Sequence, residues 1–357
     1  MHAASSIRCN APWKKSKKLA GSRLELVFGD TPPAGRLLVL GADAESDLSH
    51  FDAAQMQIVQ RHYPEFAALK ARGFEVATAA TGDFDHALVF LPRAKAEAHA
   101  RISDAASRLP PGAVLWIDGQ KTDGVDAILK EMRGLATVDE PQSRAHGKIF
   151  RVTVGAPGWL PADWADREIQ AAPGFVTRPG VFSADGPDPG SVALLQHLPE
   201  KLPSRMVDLG AGWGWLSAEV LKHPGVGTLH LVEADALALD CARRNVTDPR
   251  AQFHWADARD FRLPEPVNGV IMNPPFHQGR TADPKLGAAF IRAAAGLLTG
   301  AGRLWMVANR HLPYEAVLRD HFGDVSELGG DNRFKILTAT GARRNAARPG
   351  AAKGRRR

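Results

Sequence analysis

The chain has 357 residues, more than one hydrophobic core usually holds, so its length predicts two domains. Hydrophobic residues make up 44% and charged residues 24%, which excludes wholesale disorder, and no apolar run approaches the roughly 18 residues of a membrane span. The net charge of +6 favours an anionic partner, and two cysteines are too few for a disulfide framework or a thiolate metal site.

Both ends of the chain are basic. The first 23 residues hold six Lys or Arg and the last 15 hold seven, with no acid in either segment, so the residues between them are net negative. Basic ends on an acidic body suit the capture of a polyanion, although they could serve solubility alone. We expect a basic extension over residues 1–22, without the apolar run of a signal peptide, and a disordered basic tail over 343–357. We expect a cytoplasmic protein without membrane contact, and monomer is the default oligomeric state.

Short apolar runs alternate with helical patterns from Arg36 onward, which is typical of a parallel sheet flanked by helices. The predicted strands are RLLVLGA from Arg36, FEVATAA from Phe74, HALVFLP from His86, AVLWIDG from Ala113 and a closing antiparallel strand, KIFRVTV from Lys148. Helical spacing predicts helices around Met56–Arg72, Lys95–Leu109 and Asp123–Leu135.

A stretch rich in Pro, Gly and Trp interrupts this pattern and predicts a linker over residues 156–179. The same order of elements then returns. The predicted strands of the second half are RMVDLGA from Arg205, TLHLVEA from Thr228, GVIMNPP from Gly269, RLWMVAN from Arg303 and RFKILTA from Arg333. In this order they match the five predicted strands of the first half one by one. The repetition predicts an internal duplication into two tandem Rossmann-like α/β domains, residues 23–155 and 180–342.

The two copies differ where chemistry would occur. Aligning the second copy with the first pairs Gly210 with Gly41, Gly212 with Asp43, Gly214 with Glu45, Asn273 with Phe90, and Phe276 with Arg93. We therefore expect the first copy to have lost its site and to serve as a support or substrate-recognition domain.

The first element of the site is VDLGAGWGWLS from Val207, an apolar strand that runs into a glycine-rich turn and a helix. Glycines at 210, 212 and 214 allow the backbone to approach a ligand closely, and Asp208 would orient the turn. A dinucleotide-binding turn more often reads G-x-G-x-x-G/A, and its third position here is Trp215. The pattern thus favours an adenosyl ligand over a phosphate.

Two acids follow at the ends of the next strands. Glu233 lies about 20 residues beyond the glycines, where a carboxylate can accept hydrogen bonds from both ribose hydroxyls. Asp257, in HWADARD after the third strand, would reach the adenine amine. Each could be an ordinary exposed acid, but their spacing along one βαβα pattern favours cofactor binding.

The third element is IMNPPFHQG from Ile271. An aromatic exocyclic amine is a poor nucleophile because its lone pair is delocalised into the ring. The Asn273 side-chain oxygen and the Pro274 carbonyl can accept its two hydrogens and direct the lone pair toward a sulfonium methyl. Pro275 would stiffen this backbone, and Phe276 would stack on a flipped base.

With these motifs the sequence resembles class I methyltransferases that carry N-P-P-[FY], and among them the guanine-N2 methyltransferases of small-subunit ribosomal RNA. The resemblance rests on GVFSADGPDPGSVALL from Gly180, VDLGAGWGWLS, NPPFH, ANRHLPYEAVLRDHFG from Ala308 and NRFKILTA from Asn332. It spans most of residues 175–340, and that family shares the duplicated layout with a degenerate first half. NPPF alone also occurs in adenine-N6 and glutamine-N5 methyltransferases.

The resemblance implies S-adenosyl-L-methionine as cofactor and ribosomal RNA, most naturally 16S, or the small ribosomal subunit as partner. Residues implied near the cofactor are Phe182, Ser183 and Ala258; residues implied at the substrate pocket are His277, Arg333, Phe334 and Lys335. Two features depart from the family pattern: Glu233 stands where many relatives have Asp, and the Arg-rich tail is not part of it.

The expected reaction is direct in-line methyl transfer to guanine N2 without a metal, because no His, Cys and carboxylate cluster has metal-ligand spacing. The nearest alternative is methyl transfer to adenine N6 or to a protein glutamine. A second alternative, from another class, is a catalytically silent RNA-binding or assembly factor. The intact glycines and NPPF argue against it.

Overall fold

The computed structural model describes residues 23–29, 31–275, 277–278, 281–282 and 284–343. The predicted basic extension, and the basic tail apart from Arg343, lie outside these residues. Within these ranges three short 3₁₀ turns occur, at Ala53–Gln55, Lys121–Asp123 and Ala162–Trp164. Within the described ranges, no helix is both long enough and apolar enough to cross a bilayer.

The first domain alternates strands with helices. Its strands are β1 Leu37–Leu40, β2 Met56–Val59, β3 Val76–Ala77, β4 His86–Phe90, β5 Val114–Gln120, β6 Gln142–Arg144 and β7 Gly147–Thr153. Its helices are α1 Arg23–Phe28, α2 Tyr63–Ala71, α3 Lys95–Ser107 and α4 Val125–Leu135.

The second domain follows a short hairpin of β8 Ile169–Ala172 and β9 Phe175–Thr177. Its strands are β10 Arg205–Leu209, β11 Thr228–Glu233, β12 Ala251–Trp255, β13 Val267–Met272, β14 His277–Gln278, β15 Thr281–Ala282, β16 Leu298–Asn309, β17 Phe322–Gly330 and β18 Phe334–Ala342. Its helices are α5 Pro189–Leu195, α6 Trp215–Leu221, α7 Ala236–Asn245, α8 Pro284–Leu297 and α9 Tyr314–His321.

Each domain is built on a seven-stranded sheet of the same topology. The strand order is β3-β2-β1-β4-β5-β7-β6 in the first and β12-β11-β10-β13-β16-β18-β17 in the second. The first five strands of each sheet are parallel, and the last two pair antiparallel. Apolar clusters cover both faces of both sheets, as expected for parallel strands flanked by helices. The predicted pair of tandem α/β domains from an internal duplication is confirmed.

One predicted element is wrong. The helix expected over Met56–Arg72 is a strand followed by a helix, because β2 pairs with β1 and β3 and only α2 is helical. All four residues of β2 are buried, and so short a buried run shows neither the helical nor the alternating period. Pro64, in the first turn of α2, marks where the helix starts. The counterpart of TLHLVEA is therefore β2 and not FEVATAA, which supplies β3.

The predicted linker contains the β8-β9 hairpin, which packs on the second domain. Asn245, at the end of α7, accepts a hydrogen bond from the Val176 amide and donates one to the Val176 carbonyl, both at 2.8 Å. Its amide also donates to the Trp213 carbonyl at 2.9 Å, and the Phe175 ring lies edge-on to Trp213. The hairpin is thereby joined to the glycine-rich turn of the second domain.

The two domains meet at equivalent points of the duplicated fold, the ends of β2 and β11. His62 and Asp235 form an antiparallel bridge in which the Tyr63 amide donates to the Ala234 carbonyl (2.8 Å) and the Ala236 amide donates to the Arg61 carbonyl (2.9 Å). The two domains thus pair through the same surface in both copies, the arrangement of an isologous two-fold interface within one chain. The first domain therefore contacts the residues that directly follow Glu233.

Candidate active site

The glycine-rich turn joins β10 to α6 at the carboxyl edge of the sheet, where α/β proteins bind ligands. Gly212 and Gly214 adopt φ of 55° and 87°, in the left-handed region. A Cβ on Gly214 would lie 2.8 Å from Val246 Cγ2, so only glycine fits there. A Cβ on Gly212 would meet nothing, because this part of the turn faces open space. Gly210 shares the left-handed conformation and faces the ring of Phe290 on α8.

Glu233 lies beside this turn, as the strand-end position predicts. Its Oε2 accepts a hydrogen bond from the Gly212 amide and its Oε1 one from the Asp235 amide, each at 2.8 Å. Burial raises the pKa of the Glu233 carboxyl, while these backbone donors act in the opposite direction. Two fixed donors orient the carboxylate, and each oxygen retains a lone pair for a further hydrogen bond.

Asp208 lies buried beneath the turn. Its Oδ2 accepts a 2.7 Å hydrogen bond from the Ser217 hydroxyl at the start of α6. Burial raises the pKa of Asp208 to about 7, although the bond from Ser217 lowers it. The bond ties the last part of β10 to α6 across the glycines, which is how Asp208 orients the turn.

A cavity opens over the turn and reaches the NPP motif. Predicted site residues that line it are Phe182, Ser183, Asp208, Gly210, Gly212 and Asn273. Lining residues that the sequence analysis did not assign are Asp188, Ser191, Ala211, Trp213, Trp215 and Leu216. The fold therefore brings the glycine-rich turn and the amide of Asn273, which is 61 residues after Gly212 in the sequence, to one cavity.

The side-chain amide of Asn273 is held from one side. Its Nδ2 donates to Asp188 Oδ2 at 2.7 Å and to Ser191 Oγ at 2.9 Å. Both amide hydrogens are then used, so Oδ1 is the atom left to accept a hydrogen bond from a ligand. Pro274 is buried and Pro275 exposed after it, where their rings restrict the backbone.

Asp188 and Ser191 were missed by the sequence analysis. Asp188 precedes Pro189 and caps α5, accepting a 3.0 Å hydrogen bond from the Ser191 amide. A D-P-x-S pattern predicts a helix start and nothing more, because the contact with Asn273 joins residues more than 80 positions apart. Gly190 fits tightly between these groups, since a Cβ there would lie 2.9 Å from Asp188 Oδ2 and 3.4 Å from Phe334 Cε1.

Phe182 and Ser183 also line the cavity. Phe182 is 66% exposed. Ser183 has φ of 52°, and its hydroxyl donates to the Gly186 carbonyl at 2.9 Å. The indole of Trp213 donates to the Ser183 carbonyl, so the glycine-rich turn fixes this loop.

Asp257 and Ala258 follow β12, and neither lines the cavity. Asp257 accepts hydrogen bonds from Arg259 on both carboxylate oxygens, at 2.6 to 2.9 Å. Burial would raise the pKa of Asp257, but the bonds from Arg259 bring it below its usual value. Ala258 is buried. The Ala256 amide donates to the Glu233 carbonyl, which places this loop next to the strand-end acid.

Of the residues expected at the substrate pocket, Phe334 comes close to Asn273, as the crowding around Gly190 indicates. Arg333 is exposed, with its guanidinium over the Phe334 ring. Lys335 lies on the other face of β18, where its buried ammonium donates to Glu315 at 2.5 Å, and it does not line the cavity. Phe276 lies outside the described residues, and His277 is described only as part of β14.

The corresponding region of the first domain is filled by its own side chains. Arg101 on α3 contacts Gly41 and donates to the Phe90 carbonyl at 2.9 Å. Gln60 stands where the second domain has Glu233, and its amide donates to the Ala42 carbonyl at 2.6 Å. A guanidinium thus occupies the space between the strand ends that is open in the second domain.

Among the described residues no group of three or more His, Cys, Asp and Glu could hold a metal ion.

Two family models match the chain, one over each domain. Residues 173–338 match the methyltransferase small domain and residues 33–158 match the methyltransferase small domain N-terminal family. The first match contains the glycine-rich turn and Asn273, and the second covers most of the first domain.

Curated relatives match across both domains. The ribosomal RNA small subunit methyltransferase C of Pseudomonas syringae pv. syringae (strain B728a) is 32% identical, over 85% of this chain and 94% of its own length. That of Hahella chejuensis (strain KCTC 2396) is 28% identical, over 86% and 94%. The solved structure of the T. thermophilus 16S rRNA N2 G1207 methyltransferase, in complex with AdoMet and guanosine, superposes with a TM-score of 0.75 at 25% identity, covering 90% of this chain and 92% of that one. The chain therefore belongs to the family of ribosomal RNA small subunit methyltransferase C.

Proposed function

We propose that this protein transfers the methyl group of S-adenosylmethionine to the exocyclic N2 of a guanine in small-subunit ribosomal RNA. The observation that carries the proposal is the anchored amide of Asn273, whose Nδ2 is bound to Asp188 and Ser191 in a cavity continuous with the glycine-rich turn. The T. thermophilus relative, described with AdoMet and guanosine, supports both ligands.

The residues of the turn fit the adenosyl cofactor. Gly212 leaves bare backbone toward open space, and Glu233 beside it is oriented by two amide donors while retaining free lone pairs for ribose hydroxyls. When bound, S-adenosylmethionine supplies an electrophilic methyl group on a sulfonium. We assign Glu233 to the ribose, and Asp257 to the adenine amine through the lone pairs that Arg259 does not use. Asp208 and Ser217 support the turn.

Asn273 activates the acceptor. Its Oδ1 accepts one hydrogen of the base amine and the Pro274 carbonyl accepts the other, so the nitrogen lone pair is less delocalised and points toward the methyl group. Because the amide is already anchored by two hydrogen bonds, little reorganisation accompanies the reaction. As the bond from nitrogen to the methyl carbon forms and the bond from that carbon to sulfur breaks, the nitrogen loses one proton to solvent, because the amide oxygen and the carbonyl are too weakly basic to take it up. We assign Phe276 to stacking on the flipped base, as the NPPF motif implies.

The substrate class follows from the relatives and from charge. The curated relatives are ribosomal RNA small subunit methyltransferases, and both ends of this chain are strongly basic, which suits phosphate contacts. Such an enzyme would act where ribosomes are assembled, in the cytoplasm, and we expect it to work as a monomer. Methylation of adenine N6 or of a protein glutamine is not favoured by these relatives.

The proposal can be tested with purified protein and methyl-labelled S-adenosylmethionine. Ribosomal RNA and small subunits from a strain lacking the gene should accept label, and digestion to nucleosides should yield N2-methylguanosine. The variant Asn273→Ala, assayed in parallel, should transfer none. Label in N6-methyladenosine or in a protein would overturn the assignment.

A further inference from the structure

Asp188 uses only one of its carboxylate oxygens to hold the catalytic amide. Oδ2 accepts hydrogen bonds from Asn273 Nδ2 at 2.7 Å and from the Ser191 amide at 3.0 Å. No residue that the structure describes donates a hydrogen bond to Oδ1. The side chain is partly exposed and lines the cavity together with Asn273. A carboxylate oxygen is thus available to a ligand, directly beside the amide that binds the reacting amine.

This position determines what the carboxylate would contact. A base whose amine reaches Asn273 Oδ1 presents one of the two ring atoms that flank its amine-bearing carbon toward the neighbouring side chain. In guanine these two atoms are N1, which carries a hydrogen and is a donor, and N3, which is a bare acceptor, so a carboxylate favours the orientation that turns N1 toward it. In adenine the ring nitrogen next to N6 is a bare acceptor, and a carboxylate opposite a lone pair is repelled and loses its solvation.

We propose that Asp188 is a specificity-determining residue, whose Oδ1 accepts the N1–H of the target guanine while Oδ2 holds Asn273. The inference rests on the proposed function and goes beyond it by naming the group that selects guanine. A base that donates a hydrogen bond to Asp188 Oδ1 also has its amine at Asn273 Oδ1. The same carboxylate therefore recognises the base and positions the amide that activates its amine. Sites built to hydrogen-bond a particular donor can reject analogues that lack it by as much as about 10⁴-fold.

The variant Asp188→Asn tests this directly. The asparagine oxygen can keep both bonds made by Oδ2, and asparagine caps helices as well as aspartate does. Its amide nitrogen would take the place of Oδ1 and present a donor where the carboxylate presents an acceptor. The substitution therefore reverses the hydrogen-bonding sense toward N1 while leaving the shape of the site unchanged.

Two nucleosides serve as probes, each measured as a competitive inhibitor of methyl transfer to ribosomal RNA. Guanosine has the 2-amine and an N1–H; 2-aminopurine riboside has the 2-amine and a bare N1. Wild-type protein should prefer guanosine by about tenfold or more, and Asp188→Asn should lower this preference at least tenfold, because one net hydrogen bond is worth about a factor of ten in affinity. Comparing the ratio between proteins cancels any contribution from the missing O6.

Two further variants serve as controls. Ser191→Ala removes the second partner of Asn273 and should slow methyl transfer without changing the ratio of the inhibition constants. Asp185→Asn removes an equal charge from an exposed position in the same loop and should change neither. Thermal unfolding and S-adenosylmethionine binding of Asp188→Asn show that the variant is folded and cofactor-competent.

The outcomes separate the two proposals. An unchanged ratio in a folded Asp188→Asn protein would overturn the role of Asp188 in selecting guanine, and would leave it as a positioning residue for Asn273. Formation of N2-methylguanosine by the wild-type protein decides the proposed function independently of that ratio.

Discussion

The indole of Trp255, at the end of β12, stands edge-on to the ring of Tyr63 in the other domain, with ring centroids 5.2 Å apart and an interplanar angle of 84°. Its Nε1–H also donates to the carbonyls of Ala234 (2.9 Å) and Arg61 (3.2 Å), one in each domain. The degenerate domain therefore contacts the segment that directly follows Glu233. We therefore expect the first domain to hold in place the segment after Glu233, the residue that we propose binds the cofactor ribose.

Trp255→Phe is expected to weaken S-adenosylmethionine binding several-fold, because it keeps an aromatic ring but removes a donor shared by two carbonyls. Both carbonyls keep a backbone donor, from Ala236 and Tyr63, so the lost hydrogen bond should cost only about 0.5–1.5 kcal/mol, and a slightly lower unfolding midpoint should accompany the change. Calorimetric titration with the cofactor and thermal unfolding measure the two effects. Trp159→Phe, in the segment between the domains, is the matched control and should leave cofactor affinity unaltered. Wild-type cofactor affinity in Trp255→Phe would argue against this role of the domain contact.

Asn273→Ala should abolish methyl transfer and leave S-adenosylmethionine affinity within a few-fold, because the amide acts on the incoming amine. Glu233→Ala should instead weaken cofactor binding itself, since it removes the acceptor that the Gly212 and Asp235 amides orient. Single-turnover rates and titration calorimetry separate the two classes of defect. Near-normal single turnover by Asn273→Ala would contradict the assignment.

Titration of the whole protein with S-adenosylmethionine should give a stoichiometry of one. In the first domain the Arg101 guanidinium fills the space at Gly41 and binds the Phe90 carbonyl, so the site has no room for a ligand. Arg101→Ala should not restore binding there, because Gln60 lacks the carboxylate that Glu233 provides. A second site of comparable affinity in the wild-type protein would refute this interpretation.

Acid should destabilise the protein through a histidine pair, in which His230 on β11 is buried and His254 on β12 is half-buried. Nδ1 of His230 lies 3.0 Å from Nε2 of His254, and burial, followed by repulsion from His254, lowers the pKa of His230 to about 4. Because the neutral form is favoured in the fold, the unfolded chain takes up this proton first as pH falls. The stability that the neutral His230 contributes is fully present above about pH 6.5 and is lost progressively as the pH falls from 6.5 toward 4.

Urea unfolding at several pH values measures this loss. His230→Phe should flatten the dependence between pH 6.5 and 4, whereas His146→Gln, which changes an exposed histidine, should not. An equal slope in wild type and His230→Phe would show that other groups cause the acid lability.

Deleting residues 344–357, which contain six Lys and Arg, should weaken RNA binding at physiological salt and leave cofactor affinity unchanged. Each phosphate that the tail neutralises adds about 0.7 to the slope of log affinity against log salt for a single strand, so the slope should become shallower by a few units at most. Turnover at saturating RNA should barely fall, because Asn273 lies in the folded domain. An unaltered salt slope in the truncated protein would show that the folded domains alone hold the RNA.

Much of this protein could be predicted from its sequence because the decisive patterns are local. The glycines at 210, 212 and 214 form a turn that a few consecutive residues determine, and NPPF places an amide and a carbonyl side by side in the same way. The duplication is visible because each half repeats the same order of strands. The periodicity did not predict β2, because its four buried residues show no period. For the same reason FEVATAA was wrongly matched to TLHLVEA.

Only the tertiary structure brings Asp188 and Ser191 to the amide of Asn273, and only it sets Tyr63 against Trp255. Both contacts join residues far apart in the chain, and they depend on the strand order and on the pairing of the two domains. Sequence spacing carries no information about such distances, because the chain between the contacting residues passes through several strands and helices. The sequence by itself therefore determined which chemical groups this protein has for methyl transfer, whereas the fold decided which of its polar side chains hold and surround them.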